Sequence, residues 1–431
     1  MDKQAVEINQ VIQKSSTTVY ELLGEKGKNA FFPKSGILSQ SAQANGKKIN
    51  ATIGIATEDD GSPMRLDSLS DSIKLSPDKV FPYAPSYGRP DIRAKWYEHI
   101  YEKNPSLKDK PISLPVVTNA LTHGLSIVGQ MFFNQDEKLI LPDLYWENYG
   151  LVFEQPFGIA LDTCNTFKGE GFDIWALEEK ISDNTVGKKA ILLNFPNNPT
   201  GYTPTIEEVK SIVNLIKKSA KQGNKLLVIL DDAYFGLVYK KNIYTESLFA
   251  ELADLHENVL AIKIDGPTKE DYVWGFRVGF ITYAIKGGDK DLYSAIEAKT
   301  AGLIRGNIYN SSNLSQSLLM TAYSCPNYTK EKQKKYELLK TRYEAVGKVL
   351  AEKKEYKKFF TALPFNSGYF MCVRLAKGIE GEALRKLLLD EFDTGVIWAS
   401  GVMRIAFSAV PEKLIPELFE NLYKACKKIV S

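Results

Sequence analysis

The stretch "KKAILLNFPNNPTGYTP" (residues 188–204) joins an apolar run to a segment with three Asn, three Pro and one Gly. The apolar run is typical of a buried strand. Pro fixes φ, Asn tolerates unusual backbone angles and Gly adopts positive φ without strain, so the polar part is typical of a turn. Alone, the pattern indicates only a strand that leaves a sheet. It gains meaning because later segments repeat it, each with an apolar strand followed by chemically capable polar residues.

The middle of the chain alternates strand-like and helical segments. An amphipathic helix is predicted over 205–224, with Thr205 as its N-cap and Glu208 completing a capping box. Apolar strands separated by helices indicate an α/β fold with a large, mostly parallel sheet covered by helices on both faces, and ligands bind beyond the carboxyl ends of such strands. The predicted strand segments are "EKLILP" (137–142), "KKAILLNFP" (188–196), "KLLVILDDAYF" (225–235), "VLAIKIDGPTK" (259–269) and "FRVGFITYA" (276–284).

The C-terminal third has a different pattern. A long charged helix is predicted over 329–353, followed by strands at 367–375 and 402–408 with helices near 380–391 and 411–429. This order is typical of a smaller α+β domain. We therefore predict an N-terminal arm with part of the small domain over 1–64, a large domain over 65–337, and the rest of the small domain over 338–431.

Composition excludes several classes of function. The 431 residues are 44% hydrophobic and 25% charged, with a net charge of +3 and no basic run, so nucleic acid is not an expected partner. The apolar runs are too short to span a membrane, and the N-terminus has no apolar signal core. The four Cys are far apart and only three His occur, so no metal site is expected. We expect a cytoplasmic protein with free thiols that binds no membrane.

Polar residues end three of the predicted strand segments. Asn198 ends the first, Asp231 and Tyr234 end the second, and Lys269 ends the third, with Arg277 eight residues later. We expect these groups to converge at one crevice. A buried Lys near other polar groups can act as an amine nucleophile, and a Schiff base between Lys269 and pyridoxal 5′-phosphate (PLP) would use every one of these groups.

Taken together, the motifs resemble those of the class I and II aminotransferases, PLP-dependent enzymes of fold type I. The resemblance covers nearly the whole chain, and its aspartate and aromatic members are the most similar in motif. It rests on the order and spacing of these segments: "KINATIGIATEDDGSP" (48–63), "YAPSYGRPDIRAKW" (83–96), "LPDLYWENY" (141–149), "NNPTG" (197–201), "DDAY" (231–234), "TK" (268–269) with "FRVG" (276–279), and "MRIAFS" (403–408).

The resemblance implies a role for each matching residue. Lys269 forms the Schiff base and shuttles a proton, Asp231 meets the pyridine nitrogen, and Asn198 and Tyr234 meet the phenolate oxygen. Trp146 stacks on the cofactor ring, and Tyr145 is the other candidate for that role. The phosphate is bound by Arg277, by the turn Ala120, Leu121 and Thr122, and by Tyr83 of a neighbouring subunit. Arg404 binds the α-carboxylate, and Gly54 leaves space for the substrate.

Two positions depart from the family pattern. The family often has Gly where this chain has Ala120, and a hydroxyl residue where it has Gly266. Thr268 or Thr122 is expected to supply the missing hydroxyl to the phosphate. His123 occupies an unusual place in the same turn, where we expect a local polar role rather than a ligand role.

The resemblance implies a homodimeric transaminase that moves an amino group from an L-amino acid to a 2-oxo acid such as 2-oxoglutarate in two half-reactions. Arg305, in "GLIRGNIYNSS" (302–312), is the candidate for a distal carboxylate, which would make aspartate or glutamate a donor; aromatic donors also remain open. A β-lyase or decarboxylase on the same scaffold is the alternative within enzymes. A PLP-binding regulator is the alternative from another class, and it is disfavoured because no helix-turn-helix-like segment precedes residue 48.

Overall fold

A seven-stranded sheet forms the centre of the computed structural model, which describes residues 1–31, 36–71, 73–182 and 185–430. The strand order is β1-β7-β6-β5-β4-β2-β3, with β7 antiparallel to both neighbours and the other pairs parallel. The predicted mostly parallel sheet is therefore present. The strands, numbered in chain order, are β1 (Val116–Thr118), β2 (Lys138–Pro142), β3 (Ala160–Cys164), β4 (Lys188–Asn194), β5 (Lys225–Asp231), β6 (Val259–Asp265) and β7 (Gly279–Ala284).

The sheet is buried on both faces. Along β5, Leu226 and Val228 belong to one hydrophobic cluster, whereas Leu227 and Ile229 belong to another on the opposite face. Successive side chains of a strand point to opposite faces, so a strand covered on both sides must be apolar at every position. This explains the uninterrupted apolar runs of the sequence.

The register of the central strands fixes where the polar strand ends meet. Asn194, the last residue of β4, pairs with Asp231, the last residue of β5, and Asp231 also pairs with Ile264 near the end of β6. Because β4, β5 and β6 run parallel, their carboxyl ends lie along one edge of the sheet. The loops that carry Asn198, Tyr234 and Lys269 leave from this edge.

A second, four-stranded antiparallel sheet follows in the chain. Its strands are β8 (Phe360–Ala362), β9 (Met371–Leu375), β10 (Ile397–Ala399) and β11 (Val402–Ile405), in the order β8-β9-β11-β10.

The N-terminal region pairs with the chain just before β10, because Ile49–Asn50 forms a short parallel pair with Thr394–Gly395. The helix Tyr328–Glu352 runs across residue 337, and the predicted domain limits at 64 and 337 stay a prediction.

Helices cover both sheets. The predicted helix after β4 extends from Ile206 to Lys221, and Thr205 and Glu208 form the expected capping box. No helix in the described ranges combines the length and apolarity needed to cross a membrane. The α-helices are Lys3–Ser15, Thr17–Leu22, Glu25–Asn29, Ile37–Gln43, Asp67–Ser70, Pro77–Val80, Pro90–Lys103, Ala120–Phe132, Gln155–Phe157, Ile174–Ile181, Ile206–Lys221, Leu248–Leu252, Pro267–Glu270, Lys290–Asn307, Asn313–Tyr323, Tyr328–Glu352, Gly381–Glu391 and Ile415–Val430. A π-helix covers Gly150–Glu154, and short 3₁₀ helices cover Pro105–Leu107, Trp274–Phe276, Lys354–Lys358, Phe407–Ala409 and Glu412–Leu414.

Some boundaries differ from the sequence-based expectation. The strand expected from residue 276 begins at Gly279, because 274–276 form a 3₁₀ turn. Lys269 does not end β6 but lies four residues beyond it, in the one-turn helix Pro267–Glu270. The sequence analysis did not predict β1 and β3, because β1 has three residues and β3 ("ALDTC") is interrupted by polar side chains.

The loop that follows β4 contacts the segment before β9 through Gly201. The carbonyl of Gly201 accepts hydrogen bonds from the backbone N–H groups of Asn366 and Ser367, both at 2.9 Å. Gly201 has φ of +69°, and a Cβ built there would lie 1.9 Å from the carbonyl oxygen of Phe370. Only Gly therefore allows the two sheets' loops to approach this closely.

We expect Gly201→Ala to lower the free energy of unfolding by roughly 2 to 4 kcal/mol, because it combines a left-handed Ala with overpacking. Urea unfolding followed by circular dichroism measures the change. Gly347→Ala is the matched control, since Gly347 lies within the helix Tyr328–Glu352 and a Cβ added there would have nothing within 4 Å. A Gly201 variant as stable as this control would contradict the packing argument.

Candidate active site

A cavity of about 410 Å³ opens at the carboxyl ends of β4 and β5, between the two sheets. Twelve of the fourteen residues that the sequence singled out line it, and Tyr83 and Arg305 do not. The twelve are Lys269, Asp231, Tyr234, Asn198, Arg277, Trp146, Ala120, Leu121, Thr122, Thr268, Arg404 and Gly54.

Asp231 lies at the floor of the cavity and is 3% exposed. Its Oδ2 accepts a hydrogen bond from the Tyr149 hydroxyl at 2.6 Å, and its Oδ1 accepts one from the Ala233 N–H at 3.2 Å. Burial raises the pKa of Asp231 to about 6, while the Tyr149 hydrogen bond opposes that rise. A buried carboxylate with this environment is suited to a cationic partner in the cavity.

Lys269 reaches the cavity from its one-turn helix. Its ammonium donates a hydrogen bond to the Gly54 carbonyl at 3.0 Å and lies 5.2 Å from the centre of the Tyr234 ring. Desolvation lowers the pKa of Lys269 to about 8, with further lowering from the positive charges of Arg277 and Arg404. A larger share of this amine is thus neutral and nucleophilic near neutral pH than for a solvated Lys.

Arg404, on β11, enters the cavity from the four-stranded sheet. It is 4% exposed, and its guanidinium donates to Asn198 Oδ1 at 3.3 Å and to the Thr52 carbonyl at 3.0 Å. Its guanidinium carbon lies 4.5 Å from the centre of the Phe370 ring. The Arg404 Nε has no hydrogen-bond partner among the described residues, which leaves a buried donor for an anionic ligand.

The cavity lining includes a second set of donors. Arg277 lines it, as do Ala120, Leu121 and Thr122 at the start of the helix Ala120–Phe132. Backbone N–H groups at a helix start bind anions such as phosphate. Thr268 is 6% exposed and lines the same cavity, and its hydroxyl lacks a partner in the described part of the chain.

The structure gives a reason for the Gly266 departure and shows that the Ala120 departure leaves the backbone of the turn in a Gly-like conformation. A Cβ at Gly266 would lie 2.9 Å from the Gly279 Cα and 2.9 Å from the Val278 carbonyl oxygen, so no hydroxyl side chain fits there. Ala120 keeps the left-handed backbone of a Gly, with φ of +62°. The free Thr268 hydroxyl is the group suited to replace the hydroxyl that position 266 cannot carry.

His123 makes one local hydrogen bond, but its Nε2 is buried without a partner among the described residues, so its expected role stays a prediction. Its Nδ1 accepts a hydrogen bond from the Asn119 N–H at 3.1 Å, and burial lowers its pKa. The neutral ring therefore satisfies a backbone donor at the start of the helix Ala120–Phe132.

Trp146 rather than Tyr145 lines the cavity. The Tyr145 ring instead stacks on Tyr149 with their centres 6.2 Å apart.

Two lining residues that contact the functional groups, and one residue behind the lining, were not predicted from the sequence. Asn194 donates from Nδ2 to the Asp231 carbonyl at 2.7 Å and accepts from the Asn198 N–H at 2.8 Å. Phe370 lies under Arg404, and Tyr149 supports Asp231 from behind. Tyr149 lies within "LPDLYWENY" (141–149), but nothing in that segment indicates its contact with Asp231.

Tyr83 and Arg305 lie outside the cavity but close to a common partner. Tyr83 is 81% exposed, and its ring centre is 5.2 Å from that of Tyr309. The guanidinium carbon of Arg305 lies 4.2 Å from the Tyr309 ring centre. The two residues that the resemblance assigns to a neighbouring subunit's site thus belong to one surface cluster.

The charges of the cavity favour a ligand with several anionic groups. Among the described lining residues, Lys269, Arg277 and Arg404 are cationic, and Asp231 is the acidic one. Arg277 and Arg404 have separate partners, because Arg277 donates to the Trp274 carbonyl at 3.1 Å and Arg404 donates to Asn198 and to the Thr52 carbonyl. The residues therefore fit PLP together with an amino acid, since these bring a phosphate, a pyridinium and a carboxylate.

Comparison with known proteins agrees with the site. Residues 47–422 match the model of the family described as aminotransferase class I and II. The aspartate aminotransferase of Bacillus sp. (strain YM-2) is 26% identical over 288 residues, which are 66% of this chain and 66% of that protein. A probable N-acetyl-LL-diaminopimelate aminotransferase of Bacillus subtilis (strain 168) is 26% identical over 214 residues, 48% of this chain and 49% of that one.

The fold likeness extends further than these sequence matches, which span about two thirds or less of the curated relatives' length. The crystal structure of an aminotransferase from Anaerococcus prevotii has a TM-score of 0.80 and 23% identity to this chain, covering 92% of this chain and 98% of the other. The predicted fold type I architecture is confirmed.

We expect PLP, added to the protein without cofactor and trapped with borohydride, to label Lys269. Labelling should reach half its maximum near pH 8, because the depressed pKa makes the amine neutral there and labelling rises with pH as the proton is lost. Peptide mapping across a pH series measures both site and midpoint, with Lys269→Ala as the control. Label on another lysine, or a midpoint above about pH 10 as for a solvated Lys, would contradict this assignment.

Proposed function

The chain belongs to the class I and II aminotransferases, which depend on PLP, and we propose that it transfers the amino group of aspartate, glutamate or an aromatic L-amino acid to a 2-oxo acid such as 2-oxoglutarate. The observation that carries the proposal is the convergence of Lys269, Asp231, Arg277 and Arg404 on one cavity. Bound PLP supplies an electron sink for the carbanion that forms when the substrate Cα loses a proton.

The residues of the chain then have distinct tasks. Lys269 holds the cofactor through its amine and afterwards moves a proton at the substrate Cα, a task suited to an amine with a depressed pKa. Asp231 would meet the pyridine nitrogen and keep it protonated, and Tyr149 orients that carboxylate through its hydrogen bond. Asn198 and Tyr234 would donate to the ring oxygen, and Trp146 would cover the ring.

Binding groups surround this centre. Arg277, Thr268 and the backbone N–H groups of Leu121 and Thr122 bind the phosphate. Arg404 binds the α-carboxylate, for which its buried guanidinium has a free Nε among the described residues. Gly54 leaves space for the substrate, since the Phe370 ring is already 3.9 Å from where its side chain would begin.

A homodimer with shared sites is part of the proposal. Tyr83 and Arg305 are exposed and both contact Tyr309. Neither residue lines the cavity of its own subunit. In a two-fold dimer one surface cluster meets the partner's surface, so both residues would complete the site of the other subunit. Tyr83 then contacts the phosphate there, and Arg305 contacts a distal carboxylate of the substrate.

We expect Arg305→Ala to lower kcat/KM for aspartate by roughly two orders of magnitude or more, because the distal carboxylate loses a charge-assisted partner. The effect on phenylalanine should be small. Steady-state kinetics with 2-oxoglutarate as acceptor compares the two donors. Lys299→Ala, which removes an exposed cation from the same helix, should change neither donor.

Mixed dimers test whether Arg305 acts across subunits. A dimer of one Lys269→Ala and one Arg305→Ala subunit regains one native site only if each site takes Lys269 from one chain and Arg305 from the other. Aspartate activity should therefore appear when the two inactive proteins are mixed under subunit exchange. Equal losses on aspartate and phenylalanine would refute the dicarboxylate assignment, and mixtures without activity would refute the shared site.

A further inference from the structure

Lys269 forms two hydrogen bonds with segments that pack beside the four-stranded sheet. Its ammonium donates to the Gly54 carbonyl at 3.0 Å, and its own backbone carbonyl accepts a hydrogen bond from the Tyr369 hydroxyl at 2.7 Å. Tyr369 stands two residues before β9 and has 0% exposure. The lysine belongs to the loops of the large sheet, so both hydrogen bonds cross between the two sheets.

The segment that carries Gly54 is fastened to the same side of the cavity as Tyr369. The Ala51 N–H donates to the Gly395 carbonyl at 2.9 Å, and the Ala406 N–H donates to the Ala51 carbonyl at 2.8 Å. Gly54 and Tyr369 therefore move with the strands that carry Arg404.

The position of Tyr369 is tightly defined. Its ring packs edge-on against Tyr234 with centres 5.3 Å apart, and its backbone carbonyl accepts from the Ser408 N–H at 3.3 Å. The next residue, Phe370, lies under the Arg404 guanidinium. Adjacent residues thus touch the substrate-binding arginine and the lysine backbone.

The carbonyl that Tyr369 holds needs an outside partner. The helix Pro267–Glu270 has four residues, and the carbonyl groups of so short a helix find few partners within it. The Tyr369 hydroxyl fills this need, and its bond to the backbone carbonyl does not involve the amine that would hold the cofactor.

We infer that Tyr369 is a positioning residue for Lys269, which fixes the lysine backbone and couples it to the Arg404 side of the cavity. The inference rests on the proposed role of Lys269 and adds a residue that acts through it. Tyr369 is not among the residues that line the cavity, and in this inference it acts by holding the lysine in the geometry that proton transfer at the substrate Cα requires.

Tyr369→Phe removes the hydroxyl and keeps the ring. One hydrogen bond of this kind corresponds to roughly a three- to tenfold change in rate, so kcat should fall by about that factor while KM for donor and acceptor stays unchanged. PLP capture by the protein without cofactor should slow by a similar factor. Hydrogen exchange of residues 267–273 should become faster, because Asp271 and Val273 donate to the carbonyls of this helix.

Tyr239→Phe is the matched control. Tyr239 is also buried, and its hydroxyl donates to the Gly368 carbonyl at 2.8 Å in the same loop, but not to Lys269. Both variants lose one buried hydrogen bond, so their unfolding free energies should fall alike. Only Tyr369→Phe should lower kcat, slow capture and expose residues 267–273.

Equal changes in both variants, or none in Tyr369→Phe, would overturn the inference, because loop packing rather than the bond to Lys269 would then account for the data. Failure of the proposed function is a separate outcome. It would appear in the wild-type protein as borohydride label on a lysine other than Lys269, whatever Tyr369→Phe does.

Discussion

A carboxylate buried at the end of the central strand is the constraint on which the site depends. Asp231 is removed from water at the edge of the sheet, where its hydrogen bonds to Tyr149 and Ala233 leave its charge without an opposite charge in direct contact among the described residues. Such a group is expensive to keep ionised unless a cation meets it. A protonated pyridine nitrogen is a partner of the right charge, and the cavity places Asp231 where that ring can reach it.

The neighbouring carboxylate shows the other way of meeting this requirement. Asp232 follows Asp231 but turns into the core, where it pairs with the buried Lys263 and accepts a hydrogen bond from Ser247. Lys263 also pairs with Asp265, which accepts a hydrogen bond from the Trp96 ring. Asp232 is thus satisfied within the protein, whereas Asp231 faces the cavity. This difference gives a physical reason to assign the cofactor role to the first Asp of "DDAY".

The two sheets contribute different parts of the site. The large sheet supplies Asp231, Asn198 and the phosphate-type donors from its edge, and the four-stranded sheet supplies Arg404. The close approach at Gly201 brings the two sets together, because its backbone contacts the loop that continues into Phe370. Movement of one sheet against the other would therefore change the distance between the groups proposed to bind cofactor and substrate.

Sequence patterns predicted the parallel sheet and the strand-end residues of the cavity because these features are local, whereas the family resemblance implied the other lining residues. An apolar run identifies a strand, and the polar residue after it must lie at the strand's carboxyl edge. The Tyr149 contact with Asp231 joins residues 82 positions apart and has no local signature. The reason why Gly occupies position 266 is the close approach of the Gly279 backbone between the paired strands β6 and β7, which the sequence does not show. The contact between Tyr369 and Lys269 likewise depends on how two sheets pack, which periodicity does not encode.

The most direct measurement is the single-turnover rate of the first half-reaction in Asp231→Ala and Asp231→Glu proteins loaded with PLP. If Asp231 keeps the pyridine nitrogen protonated, Asp231→Ala should slow proton loss from the substrate Cα by about two to three orders of magnitude, with a much smaller change in the Kd for PLP. Asp231→Glu, which retains a carboxylate, should recover part of the rate. A near-normal rate in Asp231→Ala would contradict the account, because the buried carboxylate would then have no part in the chemistry.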